Sequence, residues 1–182
     1  LEEHGPLPQP ILTPTTKAPI GEHDENVSRK EILERKLVTE EQFDAAAAYA
    51  MALFAHGQKV CAARGLILVD TKYEFGLTKD GRIVVIDEIH TPDSSRFWFA
   101  KSYEERRKKG QSPESFDKEY LRRWLVEQGY RGDGPVPTIP DEVRLEAARR
   151  YIEACDTIRG SAFIPNLEAP AERLPKNLKS RV

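Results

Sequence analysis

Apolar positions along the chain recur at helical spacing in four stretches and at strand spacing in one, and that order predicts an α+β lobe. Ser28-Arg29-Lys30-Glu31 has capping-box spacing and predicts a short helix to about Leu37. Thr39 to Gln42 repeats the device and opens a long helix to about Arg64, with Gly65 as its stop. Phe43, Ala47, Ala50, Phe54 and Cys61 form its apolar stripe, and four consecutive alanines with mid-helix Gly57 predict close helix packing. Ser115 is the expected N-cap of a helix over 116–128, whose apolar face is Tyr120, Leu121, Trp124 and Leu125. A last helix runs from Pro140-Asp141 to Arg159, closed by Gly160, with Leu145, Ala148, Ile152, Cys155 and Ile158 at helical spacing.

Between the helices, residues 66–89 read as two strands joined at Asp80-Gly81, the dipeptide favoured in two-residue type I′ hairpins. Leu66 to Val69 is apolar on both faces, which predicts a central, covered strand. In the two-residue register Lys79 faces Arg82 and Glu74 faces Asp87, with Cβ atoms about 4.5–5.5 Å apart. Like charges so placed repel, and a divalent cation shared between them would turn the hairpin into a site.

The remainder reads as connection. Residues 1–27 carry five prolines and no period, predicting an extended connector. Residues 90–99 read as a loop blocked by Pro92, and 100–114, with its charge run at 104–109, as a solvated mobile segment. Of the tail, 161–182, only Phe163 and Ile164 look able to dock. The expected units are a connector and substrate loop (1–27), a catalytic lobe (28–164) and a tail (165–182). No internal repeat is visible.

Composition narrows the classes. The chain has 182 residues with 28 basic and 30 acidic side chains, a net charge of −2, so nothing points to a nucleic-acid partner. Its apolar runs fall short of the roughly 20 residues of a membrane span, and no signal peptide is evident. Cys61 and Cys155 are the only cysteines and read as buried thiols, which fits a reducing cytoplasm. His4, His23, His56 and His90 lack metal-ligand spacing; His56 reads as structural or surface, and His23 and His90 as loop residues within reach of a substrate. The chain starts at Leu1 inside a Pro-rich phrase, which suggests a piece of a longer protein.

The strand period places Asp70, Lys72 and Glu74 on one face and Thr71, Tyr73 and Phe75 on the other. The charged face either looks into a cleft or is a solvated outer face whose lysine neutralises its neighbours. Asp87-Glu88 ends an apolar strand, where Mg²⁺ ligands often emerge, and a pair of carboxylates suits Mg²⁺ shared with substrate phosphates. Asp93-Ser94-Ser95-Arg96 follows closely and could supply a phosphate-binding arginine.

These residues carry a resemblance. LILVDTKYEFG (66–76) closely resembles the strand signature of the SAICAR synthetase family, the phosphoribosylaminoimidazole-succinocarboxamide synthases of purine biosynthesis. The likeness continues through DEIHTPDSSRFW (87–98), and GEHDENVS (21–28) resembles the substrate loop of its fungal-type members; together it spans roughly residues 11–164. The resemblance implies the larger C-terminal lobe of a two-lobed ATP-binding fold. It implies a Mg²⁺- and ATP-dependent ligase joining L-aspartate to the carboxylate of carboxyaminoimidazole ribonucleotide (CAIR) through an acyl phosphate, giving SAICAR, ADP and phosphate. By motif position, Glu74 and Asp87 match metal-binding acids and Lys72 the signature lysine. Arg96 matches a residue gripping the ribonucleotide phosphate, with Ser95 beside it in the substrate-binding run. Asp93 and Asp24 match residues facing the aminoimidazole, and Lys17 a nucleotide-side lysine. Asp70 or Asp93 is the candidate base for the aspartate amine, and the sequence does not choose between them.

The departure is large, because the family's N-terminal β-rich lobe, with its phosphate-covering loop, has no counterpart here. The expected chain is therefore one lobe, with little synthetase activity alone and the other lobe as a partner; a homo-oligomer is compatible with the sequence. Two rivals stand beside the ligase: a non-catalytic metal- or partner-binding module of the same ancestry, and another phosphotransferase. The Asp-Phe-Gly and His-Arg-Asp signatures of kinases are absent.

Overall fold

Two capping boxes start the helical layer in the computed structural model, which describes residues 2–19, 23–116 and 119–179. Ser28 caps α1 (Arg29–Glu34) and Thr39 caps α2 (Glu40–Ala62), each answered by the side chain three residues on. These reciprocal bonds satisfy orphan N–H groups at both helix starts. Gly65, at φ 72°, takes the left-handed turn that releases the chain from α2 into β1 (Leu66–Thr71).

Beyond β1 come β2 (Glu74–Leu77), β3 (Ile83–Ile86), β4 (Ser95–Phe99), α3 (Ala100–Lys108), α4 (Glu119–Glu127), α5 (Asp141–Arg159) and α6 (Pro170–Lys179). β1 pairs antiparallel with β4, and β2 antiparallel with β3, as two separate ladders. Residues 66–77 are thus one extended run that changes partner at Lys72-Tyr73. A register shift between Leu68 and Asp70 bends the run there, as a bulge does. The expected central strand is corrected: β1 has a ladder partner on one edge only, with its Leu66 and Leu68 face buried against α2 and Ile67 and Val69 half-buried.

Leu66 and Leu68 of β1, Phe97 of β4, Cys61 of α2, Phe116 and Ala154 of α5 make one core cluster, flanked by Phe54, Phe99 and Ile158. Gly57 is buried in the middle of α2. A Cβ there would lie 2.5 Å from His90 Cε1 and 2.8 Å from Leu68 Cδ2, so the glycine permits the close approach that its position in the sequence suggested. Gly57→Ala gains about 1 kcal/mol of helix propensity but overpacks a filled contact at about 1–3 kcal/mol. A net loss is expected, seen as a lower denaturant midpoint at unchanged m-value.

Several expectations are corrected. Residues 95–99 form β4 instead of continuing the loop, because Phe97 and Trp98 bury against the core. The 100–114 segment contains α3, whose Tyr103 is buried and stacks on Trp98, while Arg106, Arg107 and Lys109 pair with carboxylates. Ser115 bridges to Trp98 and Phe116 joins the core, so neither begins α4; residues 117 and 118 lie outside the described residues. On α5 the buried positions are Val143 and Ala154; of the expected stripe Ile158 packs against the core and Cys155 is half-buried, whereas Leu145 is 70% exposed and Ile152 is exposed. Phe163 and Ile164 do not dock (Ile164 is 84% exposed), whereas the tail forms α6 with Pro175 inside it and no buried residue. Among the described residues no helix is long and apolar enough to cross a membrane.

Candidate functional site

The turn decides where the acidic residues fall. Thr78 N–H donates to Arg82 O at 3.0 Å, Arg82 N–H donates to the Thr78 hydroxyl at 2.9 Å, Gly81 N–H donates to Thr78 O at 2.9 Å, and Gly81 alone in the loop has positive φ, at 83°. This is a three-residue loop of Lys79, Asp80 and Gly81, a turn followed by a left-handed glycine, rather than the two-residue type I′ turn. The register therefore moves by one: Glu74 faces Ile86, not Asp87. In a regular strand that slip would send Asp87 to the opposite face. Instead β3 ends at Ile86, and Asp87 enters the left-handed region at φ 66°, a conformation Asp tolerates better than most residues. Its charge still acts on the Lys72 ammonium.

Four other charges converge with it. Residues 14–18 and 24–27 fold back on one another, with Thr16 N–H bonded to Glu25 O, Val27 N–H to Pro14 O and Ala18 N–H to the Asp24 carboxylate. This brings Lys17 onto the Glu74 carboxylate and Asp24 Oδ2 to 3.7 Å from Lys72 Nζ. Lys72 Nζ lies 3.0 Å from Glu74 Oε1. Glu74, its side chain 14% exposed, is thus gripped by two ammonium groups. Lys17 and then Lys72 hold its carboxyl below the ordinary range, and Glu74 foremost holds Lys72 above its own. Residues 20–22, including Gly21, lie outside the described residues.

The other candidates sit beside this cluster along β1 and β4. Asp70 and Arg96 face each other across the ladder, their side chains 3.5 Å apart, so Asp70 is committed to Arg96 rather than to Lys72. Ser95 is buried and its hydroxyl lies 2.9 Å from that of Thr71. Asp93 follows Thr91, whose hydroxyl accepts from the Asp93 N–H at 3.3 Å. His90 is half-buried with its Nε2 2.6 Å from Tyr73 Oη. Sequence reasoning missed the hydroxyls of Thr71, Tyr73, Thr91 and Ser94; the run Thr-Pro-Asp-Ser-Ser was the signal, since Ser and Thr bond neighbouring backbone.

The donor set can be tested against Mg²⁺. That ion takes one or two carboxylates, waters and substrate phosphates rather than an all-protein cage. Glu74, in contact with Lys72, and Asp87, whose charge reaches the same ammonium, are of the ligand type and number this demand allows. Among the described residues no group of three or more His, Cys, Asp or Glu side chains is placed to hold a metal, so an all-protein site is not what the set builds. Two lysines beside the carboxylates supply charge for phosphate oxygens.

Comparison with known proteins gives the family. The family model described as SAICAR synthetase matches residues 1–137. A protein of Agrobacterium fabrum called a putative phosphoribosylaminoimidazole-succinocarboxamide synthase 2 is 49% identical over 175 residues, covering 95% of this chain and 55% of that protein. The phosphoribosylaminoimidazole-succinocarboxamide synthase of Flavobacterium psychrophilum is 45% identical over 181 residues, 98% of this chain and 57% of its own length. Among solved structures, the SAICAR-synthase from Saccharomyces cerevisiae complexed with SAICAR superposes with a TM-score of 0.70 at 38% identity, covering 87% of this chain and 49% of that one. A SAICAR synthetase in complex with ADP superposes at 0.63 with 26% identity, over 87% of this chain and 55% of that one. The chain spans about half the length of the curated relatives it matches. The match over residues 1–137, with the signature strand at its centre, makes this chain a member of the SAICAR synthetase family.

Proposed function

We propose that this chain is the catalytic lobe, residues 28–164 with the 1–27 connector, of a cytoplasmic ligase that joins L-aspartate to CAIR with ATP. The observation that carries the reading is the cluster in which Lys17, Asp24 and Asp87 act on Lys72 and Glu74 of the family's signature strand. The cluster faces solvent through Lys17, Asp24 and Lys72, whose side chains are 74%, 37% and 59% exposed. That suits a half-site completed by a second lobe, which is a partner in this reading along with ATP, CAIR and aspartate.

Glu74 and Asp87 would hold Mg²⁺. When bound, the ion supplies positive charge that offsets the phosphates and polarises the transferred group. Lys17 and Lys72 neutralise phosphate oxygens, lowering the repulsion between ATP and the CAIR carboxylate. A carboxylate oxygen of CAIR attacks the γ-phosphorus, the bond to ADP breaks, and an acyl phosphate forms. The aspartate amine then attacks the acyl carbon, phosphate leaves with the C–O electron pair, and a carboxylate takes the amine proton. Asp93, within the run that orients CAIR, is the favoured base, whereas Asp70 lies against Arg96. Arg96, Ser95, Asp93 and Asp24 orient CAIR, so that the two reacting anions meet in line.

Arg96 gives a selective prediction. Loss of one charged hydrogen-bonding group costs about 1.5–3 kcal/mol, so Arg96→Met should raise the KM for CAIR by about 10–100-fold and leave that for ATP unchanged. Steady-state kinetics with each substrate varied in turn reads the split. The reading as a whole is tested by ADP release from the longest natural form of the protein. Release that requires CAIR, aspartate and Mg²⁺ together supports it. Metal binding without turnover would favour the non-catalytic module, and ATP consumption without CAIR another phosphotransferase.

A further inference from the structure

The segment from His90 to Arg96 carries Asp93, Ser95 and Arg96, yet it joins no ladder before Ser95. Its first residue, His90, sits in the left-handed region at φ 54°. A non-glycine residue holds that conformation only where its surroundings fix it. The surroundings here are specific. The His90 imidazole lies under α2 at Gly57, where a Cβ would come within 2.5 Å of it, and it meets the Tyr73 ring edge-on with centroids 5.6 Å apart. Its Nε2 is 2.6 Å from Tyr73 Oη. Burial pushes the Tyr73 hydroxyl up to about 12 and lowers His90, which His56 lowers further.

Beside this pair a line of hydroxyls ties the loop to β1. Thr71 Oγ1 lies 2.9 Å from Ser95 Oγ. Ser95 Oγ is 3.2 Å from Ser94 Oγ, Ser94 is 3.2 Å from Thr91 Oγ1, and Thr91 donates to the Glu88 carboxylate. Two backbone bonds close the loop: Lys72 N–H to Ser94 O and Ser95 N–H to Thr91 O, each 2.9 Å. The loop therefore touches the 66–77 run at two places, through the Tyr73–His90 pair and through the bonds of Thr71 and Lys72 to Ser95 and Ser94.

We propose that Tyr73 and His90 form a positioning anchor that fixes the 90–96 segment against β1, so that Asp93, Ser95 and Arg96 meet the CAIR end of the site in one arrangement. What is positioned rests on the ligase reading; the anchor itself does not. Neither residue touches substrate. They act through the loop they hold.

Tyr73→Phe tests this with the loss of one oxygen and no added bulk. Removing a part-buried hydrogen bond should speed amide exchange of Lys72 and Ser95 about 5–10-fold, with amides at the centre of α2 unchanged. In the longest natural form of the protein the same variant should raise the KM for CAIR by a similar factor and leave the KM for ATP alone. Unchanged exchange at Lys72 and Ser95 overturns the anchor. Equal acceleration throughout α2 and β1 also overturns it, because the hydroxyl would then serve only general stability. Local acceleration with an unaltered KM for CAIR overturns the positioning role. If the parent protein makes no SAICAR, the ligase reading and the positioning role fall together, and the exchange data still decide the anchor.

Discussion

Glu74→Gln should lower kcat for SAICAR formation by at least about 10²–10³-fold, the range seen when one preorganised charge-stabilising group is removed, and Asp87→Asn should do the same. Each change keeps the side-chain shape and removes one anionic oxygen ligand. Glu74 is already ion-paired to Lys17 and Lys72, so its replacement by a neutral amide also leaves two ammonium groups without their anion. That loss sits at the surface of the lobe, and the fold should survive with little change in melting temperature. If both carboxylates serve one ion, the double variant should be no slower than the worse single variant, because the second change removes a ligand from a site already broken. Wild-type rates in both single variants would refute the assignment. Independent, multiplying losses would mean that the two residues act on different groups.

The second large effect lies in the core. Phe97→Ala should destabilise the chain by about 3–5 kcal/mol, the usual cost of emptying a large buried aromatic site. Phe97 is 0% exposed and sits among Leu66, Leu68, Phe116 and Ala154, which belong to β1, the 115–116 bridge region and α5. No neighbour can collapse into the space without dragging a strand or helix. Against a total stability of about 5–15 kcal/mol for a domain, much of the folded population is at risk. Denaturant unfolding should show the midpoint fall sharply, and the site beside β4 should lose activity with it. A shift under about 1 kcal/mol would mean that β4 is not the inner strand of this core.

Those two residues also mark what the sequence made legible. The helix starts at Ser28 and Thr39 were readable because each cap and its partner lie within four residues. The Gly65 and Gly160 stops were equally local, and both glycines take left-handed φ. The signature strand carries Lys72 and Glu74, and the structure brings Lys17 and Asp24 to them from the connector. The hairpin register was misread by one position, since Asp-Gly suits both a two-residue turn and the last two places of a three-residue loop. Only the Thr78 and Arg82 pairing tells them apart. β4 was hidden behind Pro92, although three consecutive aromatics, Phe97-Trp98-Phe99, fit a strand on propensity alone. The run 104–109 looked solvated because its charges dominate, and its ordering contact, Tyr103 on Trp98, spans a strand–helix boundary. Likewise the α5 face could not be fixed by period, because Leu145 and Val143 offer competing stripes and only the packing of Ala154 against β1 and β4 selects one.

The chemistry proposed for the Lys72 and Glu74 cluster makes one commitment that oxygen can report. If the CAIR carboxylate is phosphorylated before aspartate attacks, one of its oxygens must leave with the phosphate. CAIR labelled with ¹⁸O in the carboxylate, turned over with ATP, Mg²⁺ and aspartate, should yield inorganic phosphate carrying one ¹⁸O atom for each SAICAR formed. SAICAR made alongside unlabelled phosphate would contradict the account.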